Sequence, residues 1–347
     1  MELDRFSMLL QNVCTYPNTD CRAASKTLDS FRRNALSIKR SDSETRTFPT
    51  DIWGYAVTLV YTPVANRGKG YAQHMMRLLH WVLAPKSSLP SVFPAEWGDP
   101  PPRVSAVGDA SFSVLFSDIG ERFYRQAGTL PNTEDGWMIS DPVSTTWDVV
   151  ESSKFAPLSS EARPHPSLRW KWLDEELVRG IWDKDATIMK EELSLSPSHR
   201  AHTTIFTFLP DRGVAEFQRH QLRLIWSKMD PQPAYWGVCR QRGNGGENDA
   251  STFATWTLDV RRPASIALII TRLRAQPVDF EELFLQIVSF AKQHGVEKIE
   301  VWNLPSNLRD IGHRLGGKTF SRDEHLPLFK WYGEECHEEL SWLNNER

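Results

Sequence analysis

Arg67-Gly68-Lys69-Gly70-Tyr71-Ala72 stands between a run of β-type residues, Trp53 to Thr62 (WGYAVTLVYT), and a stretch whose Met75, Met76, Leu78, Leu79 and Val82 recur at helical spacing. A strand that enters a helix through glycines has a chemical use. Gly68 and Gly70 carry no Cβ, so their backbone can approach a ligand closely. The first N–H groups of the helix lack intrahelical acceptors, and the helix dipole favours negative charge beside them. The pattern therefore predicts a cradle for a pyrophosphate. It is neither the dinucleotide fingerprint, which needs G-x-G-x-x-G, nor the P-loop, which needs G-x-x-x-x-G-K-[ST]. A basic turn with two glycines and no ligand is the plainer alternative that these six residues leave open.

The surrounding elements carry the decision. Ala24 to Leu36 reads as a short amphipathic helix, and the polar run Lys39 to Thr50 as a loop. After the strand and helix around the glycines, Pro85 to Pro102 is proline-rich and cannot continue a helix. Ala110 to Ser117 reads as a buried strand and Ile119 to Ala127 as a helix stopped by Gly128. From Trp147 to His202 prolines, serines and charged helical segments such as Trp172 to Trp182 show no strand pattern, which predicts an interdomain connection.

The remainder repeats the order strand, helix, strand, helix. Thr203 to Leu209, Tyr235 to Val238, Phe253 to Asp259 and Ser265 to Arg272 read as strands, with a helix from Val214 to Lys228 among them. A helix then starts at Asp279, with Glu282 at capping-box spacing, and stops at Gly295. Lys298 to Trp302, a helix from Ser306 to Leu315, and Leu326 to Trp331 complete the half. Its entry to the central helix reads Arg272-Leu273-Arg274-Ala275-Gln276-Pro277, without glycine and with a proline that removes a donor. Only the first half is expected to hold a diphosphate. The division reads as 1–146 for the domain with the loop, 147–202 for a linker with helices, and 203–347 for a second domain.

Composition narrows the classes. At 347 residues the chain exceeds the size at which single cores stop growing, so two domains are expected. A net charge of −3 implies no broad basic field for nucleic acid. No apolar run is long enough to span a bilayer, and Met1 to Asp20 lacks the basic start and apolar centre of a signal peptide; a cytoplasmic protein without a membrane partner is the expectation. Cys14, Cys21, Cys239 and Cys336 are too scattered for a disulfide framework. His199 and His202 have no third ligand at metal spacing, so no metal is expected.

With these pieces in place the chain resembles the fungal L-lysine N6-acetyltransferase family, a GNAT-type N-acetyltransferase followed by a second GNAT-like domain. The stretches that carry the resemblance are Tyr61-Thr62-Pro63, Arg67 to Met76 (RGKGYAQHMM), Leu115 to Tyr124 (LFSDIGERFY), Gly136-Trp137, Phe208 to Asp211 and Phe253 to Trp256. In that family R-x-x-G-x-A is the coenzyme A pyrophosphate loop, here with an extra glycine and lysine inside. The resemblance implies an α/β (α+β) fold of two GNAT-like domains, each a mixed, mostly antiparallel central sheet flanked by helices. The first sheet splays to admit the pantetheine arm, bound by backbone near Val60 and Thr62, while Arg67, Gly68, Lys69, Gly70, Tyr71 and Ala72 hold the pyrophosphate. It implies transfer of acetyl from acetyl-CoA to a small-molecule amine, with the ε-amine of free L-lysine as acceptor in lysine catabolism. About fifty residues precede the strand before the loop, too few for the family's usual strand, two helices and two strands, so the amino-terminal part reads as shortened. That departure sustains a rival reading, a non-catalytic module that binds coenzyme A or a partner.

The chemistry asks for two proton-handling groups. A lysine amine of pKa about 10.4 is neutral in only about one molecule in a thousand at pH 7, so a base must take its proton. Asp118 and Asp109 are the nearest candidates in sequence; Asp118 reads better as a helix N-cap before Glu121, which leaves the base unassigned. The departing thiolate needs a proton in return. Tyr124 matches the GNAT tyrosine that donates it, and its alternative reading is a core tyrosine beside Phe123.

Overall fold

The structure is a computed structural model and describes residues 27–39, 48–155, 168–195, 203–211, 226, 232–242, 248–261 and 265–344. The expected helix from Val214 to Lys228, Trp226 apart, and the pair His199 and His202 lie outside the described residues.

The described chain is a mixed α/β protein with two sheets, each of seven strands. One sheet has the order β14-β7-β1-β2-β3-β13-β4, built from β1 (Thr27–Lys39), β2 (Thr50–Tyr61), β3 (Phe112–Ser117), β4 (Met138–Ile139), β7 (Thr204–Phe208), β13 (Leu326–Trp331) and β14 (Leu340–Trp342). The other has the order β12-β5-β11-β10-β9-β8-β6, built from β5 (Val143–Asp148), β6 (Leu168–Leu173), β8 (Gly237–Arg242), β9 (Asn248–Arg261), β10 (Ser265–Arg274), β11 (Lys298–Trp302) and β12 (Lys318–Ser321). In the first, β2 with β3 and β14 with β7 run parallel; in the second, only β10 with β11 does, so both sheets are mostly antiparallel as expected.

The strands are not grouped by sequence order. The chain forms two compact units, 1–141 with 192–209 and 323–343, and 142–191 with 210–322 and 344–347. β13, expected as the last strand of the second domain, lies between β3 and β4, and β5 lies between β11 and β12. The second half thus gives β7, β13 and β14 to the first sheet, and the first half gives β5 to the second. β7, also expected in the second domain, pairs with β1 through Ala35↔Phe208 to Lys39↔Thr204. The segment expected as a linker without strands is structured: β6 pairs with β8, and a 21-residue helix, α4 (Glu175–Leu195), follows.

Two local expectations also need correction. Thr27–Lys39 is a strand, not a helix: although Leu28, Phe31, Ala35 and Leu36 fall at helical spacing, β1 is paired on both sides, by β2 and β7, and tertiary pairing overrides a short periodic signal. The expected helix over Ile119 to Ala127 is the single turn α2 (Arg122–Arg125), because Gly120 takes a left-handed φ of 84° just before it.

In the first unit α1 (Tyr71–Leu83) buries Met75, Met76, Leu78, Leu79, His80 and Leu83. Of these, Met76, Leu79 and Leu83 join a core of Tyr55, Val57, Leu115, Tyr124, Trp137, Leu328 and Tyr332. Phe112 has the rings of Phe206 and Phe208 at 4.7 and 4.9 Å. A Cβ on Gly54 would fall 2.5 Å from ring atoms of Phe112 and Phe208, so glycine is what lets those rings meet. In the second unit α5 (Pro277–Gln293), with α3 (Val149–Ser152) and α6 (Ser306–Arg314), packs a core around Trp147, Phe280, Phe284 and Ile287.

Candidate functional site

The parallel ladder between β2 and β3 is short. It pairs Gly54↔Phe112, Tyr55↔Ser113 and Ala56↔Val114 and stops, while β2 runs on to Tyr61 and β3 to Ser117. On its other edge β2 stays paired with β1 as far as Tyr61, but there Leu59 and Val60 together face the single residue between Thr27 and Asp29, a bulge that bends β2. A strand bent away from its neighbour leaves a slot beside the stretch of β2 beyond Ala56, where no ladder to β3 continues. On this same stretch the Thr58 and Thr62 hydroxyls are buried without a hydrogen-bond partner among the described residues.

The slot leads to the glycine turn. Gly68 and Gly70 have φ of 73° and 78°, the left-handed region that glycine occupies without strain, and Gly70 caps α1. A Cβ on either would meet nothing within 4 Å, so the space beyond the turn is open. The first backbone bond of α1 runs from His74 N–H to Gly70 O at 3.0 Å, so the amides upstream of it have no intrahelical carbonyl. Arg67, Gly68, Lys69 and Gly70 are exposed, Tyr71 and Ala72 half-buried. Arg67 Nε donates to Thr62 O at 3.2 Å and Lys69 Nζ to Asn66 Oδ1 at 3.3 Å, contacts that hold both cations beside the turn. The arrangement fits a diphosphate: open left-handed glycines, helix-end amides and two flanking cations.

Tyr124, on α2, is 8% exposed and lies edge-on to Phe123 at 4.9 Å and to Trp137 at 6.4 Å. Its hydroxyl has no hydrogen-bond partner among the described residues. Burial, then the charge of Asp118, raise its pKa, so it is a neutral donor at physiological pH. Gly136-Trp137 fixes its backbone: Trp137 N–H donates to Tyr124 O at 3.2 Å and Gly136 N–H to Arg125 O at 3.0 Å. A Cβ on Gly136 would come 2.1 Å from Tyr124 O, which explains the glycine.

Behind Tyr124 runs a buried polar chain that sequence reading missed. Trp137 Nε1 donates to Ser113 Oγ at 3.0 Å, Ser113 Oγ and the Tyr332 hydroxyl lie 3.0 Å apart, and Tyr332 reaches His80 Nδ1 at 2.9 Å. His80 Nε2 meets Ala127 O at 2.8 Å, where only an N–H can satisfy a carbonyl. One direction of donation, from Trp137 through Ser113 and Tyr332 to neutral His80 and on to Ala127, satisfies every member. Burial, then the nearby Lys330 charge, push the His80 pKa from 6.5 down to about 3.

That depression has a measurable sign. Between pH 6.5 and about 3 the unfolded chain takes up a proton that folded His80 refuses, so stability is fully present above pH 6.5 and falls as pH falls. The expected loss at pH 5 is about 2 kcal/mol from this residue. Urea melts at pH 7.5 and pH 5 should show it in the wild type and not in His80→Gln; equal pH slopes in both would refute it.

Neither aspartate stands free as a base. Asp109 is held by the Arg32 guanidinium and accepts from the Tyr55 hydroxyl at 2.9 Å. Asp118 does not cap α2, whose first turn follows Glu121; its Oδ1 accepts instead from His325 N–H at 3.0 Å and lies 2.8 Å from His325 Nδ1.

The corresponding turn in the second unit, between β10 and α5, lacks these features. Pro277 occupies the first helical turn, and Asp279 lies within that turn, not at the cap, which is Gln276. The Asp279 carboxylate is paired with Arg240, so the helix end carries its own anion. Arg272 and Arg274 both bind buried Asp185, at 2.6 and 2.7 Å.

Comparison with curated proteins gives no match. A family model described as the LYC1 GNAT-like C-terminal domain matches residues 153–347, more than half of the chain. Similar solved structures include a GCN5-related N-acetyltransferase from Anabaena variabilis, 12% identical over 88% of this chain and 60% of that one, with a TM-score of 0.44. Eis1 from Mycobacterium abscessus is 12% identical over 88% of this chain and 62% of its own, with a TM-score of 0.40. A tandem GNAT protein from the clavulanic acid biosynthesis pathway is 12% identical over 89% and 84%, with a TM-score of 0.40. The chain spans less than two thirds of the length of the first two.

Proposed function

Since the matched model covers more than half of it, the chain belongs to the LYC1-type GNAT-like family, and on that footing we propose an N-acetyltransferase that moves acetyl from acetyl-CoA to an amine, foremost the ε-amine of free L-lysine. The observation that carries the reading is the slot: β2 and β3 part after Ala56 and Val114, and β2 delivers the chain straight to the left-handed glycines at the start of α1. An arm can lie along the free edge of β2 with its diphosphate on the turn.

Coenzyme A, when bound, supplies the acetyl group as a thioester. The chain's part is to hold and orient it. Arg67 and Lys69 bring cations to the phosphates; the amides of Gly68, Lys69, Gly70, Tyr71 and Ala72 face them; and backbone near Val60 and Thr62 fixes the arm. With acetyl-CoA bound, a neutral acceptor amine would form the C–N bond as the C–S bond breaks; the Tyr124 hydroxyl would give its proton to the departing thiolate, and the proton lost from the new amide nitrogen, passed through solvent, would restore the phenol. A phenol of pKa about 10 protonating a thiolate of pKa about 8.5 is uphill by roughly 2 kcal/mol, and the raised pKa of Tyr124 adds to that, a cost within an enzymatic barrier.

Tyr124→Phe should therefore lower kcat by roughly tenfold to a hundredfold while calorimetric acetyl-CoA affinity stays the same. Unchanged turnover would remove Tyr124 from the reaction. The function itself is tested by acetyl-CoA consumption against free lysine, other diamines and basic peptides, with lysine expected to be fastest. Tight coenzyme binding without turnover on any amine would assign the chain to the rival class of binding modules.

A further inference from the structure

Beside α1 lies a polar cavity of about 340 Å³, lined by Gln73, Arg77, Gln126, Asn132, Thr133 and Glu134. Gln73 and Arg77 are one turn apart on the same helix face, and both reach only the Gln126 carbonyl, each at a long 3.4 Å. Arg77 Nε is buried with no partner among the described residues. Among the described residues the Arg77 guanidinium has no carboxylate, whereas Glu134, the other charge on the wall, is paired with Arg125 at 3.3 Å. Trp97 braces the guanidinium, its ring centre 5.5 Å away. A buried guanidinium N–H left unsatisfied costs free energy and calls for an acceptor.

We propose that this cavity is a subsite for a phosphomonoester, the 3′-phosphate on the ribose of coenzyme A. The proposal rests on the coenzyme reading of the glycine turn. Arg77 lies seven residues beyond Gly70, about two turns and 10 Å along the helix, which puts the two on the same face of α1, and helical side chains lean back toward the N-terminus. The ribose of coenzyme A joins the diphosphate directly to the third phosphate, which places that group within the same short span. A phosphomonoester carries close to two negative charges at pH 7 and acceptor oxygens that match the arginine fork; Gln73 and Thr133 add side-chain donors.

Calorimetry of the full chain with coenzyme A and with 3′-dephospho-coenzyme A tests this. The wild type should bind coenzyme A at least tenfold more tightly. Arg77→Gln should shrink that preference to within about threefold while affinity for the dephospho form is unchanged. Gln73→Glu, which leaves Arg77 and its packing on Trp97 in place but sets a carboxylate in the cavity, should do the same. Equal affinity of the wild type for the two forms, or an equal loss of both in Arg77→Gln, would overturn the subsite. Adenosine 3′-monophosphate separates it from the underlying reading. If the wild type bound that nucleotide through Arg77 but neither coenzyme, the phosphomonoester site would stand and the coenzyme assignment would fall.

Discussion

Gly70→Val abolishes coenzyme A binding, with an affinity loss of at least a hundredfold, and leaves a chain that still melts cooperatively within a few degrees of the wild type. Both halves of this expectation come from one geometry. Gly70 sits at φ 78° as the cap of α1, where a β-branched side chain is strained by roughly 1–2 kcal/mol. In a protein of this size that strain lowers Tm by only a few degrees. No atom lies within 4 Å of the Cβ position, so the folded chain meets no clash. The new methyl groups instead project into the space at the helix end where a phosphate would accept the free amides. Relaxing the turn toward negative φ would re-aim those amides, so neither response preserves the cradle. Titration calorimetry with coenzyme A measures the outcome; wild-type affinity in a folded Gly70→Val chain would remove the turn from ligand binding.

A fragment of residues 1–146, cut where the sequence divides its halves, does not fold. It keeps β1, β2, β3 and β4 but lacks β7, β13 and β14, three of the seven strands of its own sheet. Without β13, β3 loses its antiparallel partner from Phe112 to Ser117, and β4 loses the only strand it pairs with among the described residues. The loss reaches the site as well. Tyr332, which follows β13, hydrogen-bonds both His80 and Ser113, so the fragment would bury His80 Nδ1 without its partner, at about 1–3 kcal/mol, and leave Ser113 with Trp137 alone. It would also expose an apolar strand edge. The fragment should show no cooperative melt and no coenzyme binding, and co-expression with residues 147–347 should restore both. A fragment that melts cooperatively and binds coenzyme A alone would show that β13 is dispensable.

What the sequence makes legible is what local stereochemistry demands. Gly68 and Gly70 stand where left-handed backbone is needed, and the α1 pattern was plain because Met75, Met76, Leu78 and Leu79 share one buried face. The order of most strands was visible for the same reason. Their partners were not: Leu326 to Trp331 is a mostly apolar run and Val143 to Asp148 a mostly polar, β-branched one, and which edge each joins is settled by the whole fold. β1 was misread because a strand paired on both sides can bury residues at spacings that imitate a helix. His80 was invisible because it sits on the apolar face of α1, and its partner Tyr332 is 252 residues away. Arg77 resembles any solvated arginine until Trp97 and the cavity wall are placed around it.

The exchange of β5 and β13 also governs how the protein can be born. As the ribosome releases the chain, β1 to β4 emerge early, yet the place between β3 and β4 stays vacant until nearly all of the other unit has been translated. The half with the glycine turn must therefore wait, unfinished, for a late arrival. Pairings so distant in sequence make for slow maturation and a long dependence on chaperones. A message cut short anywhere before Leu326 leaves the first sheet without β13 and β14.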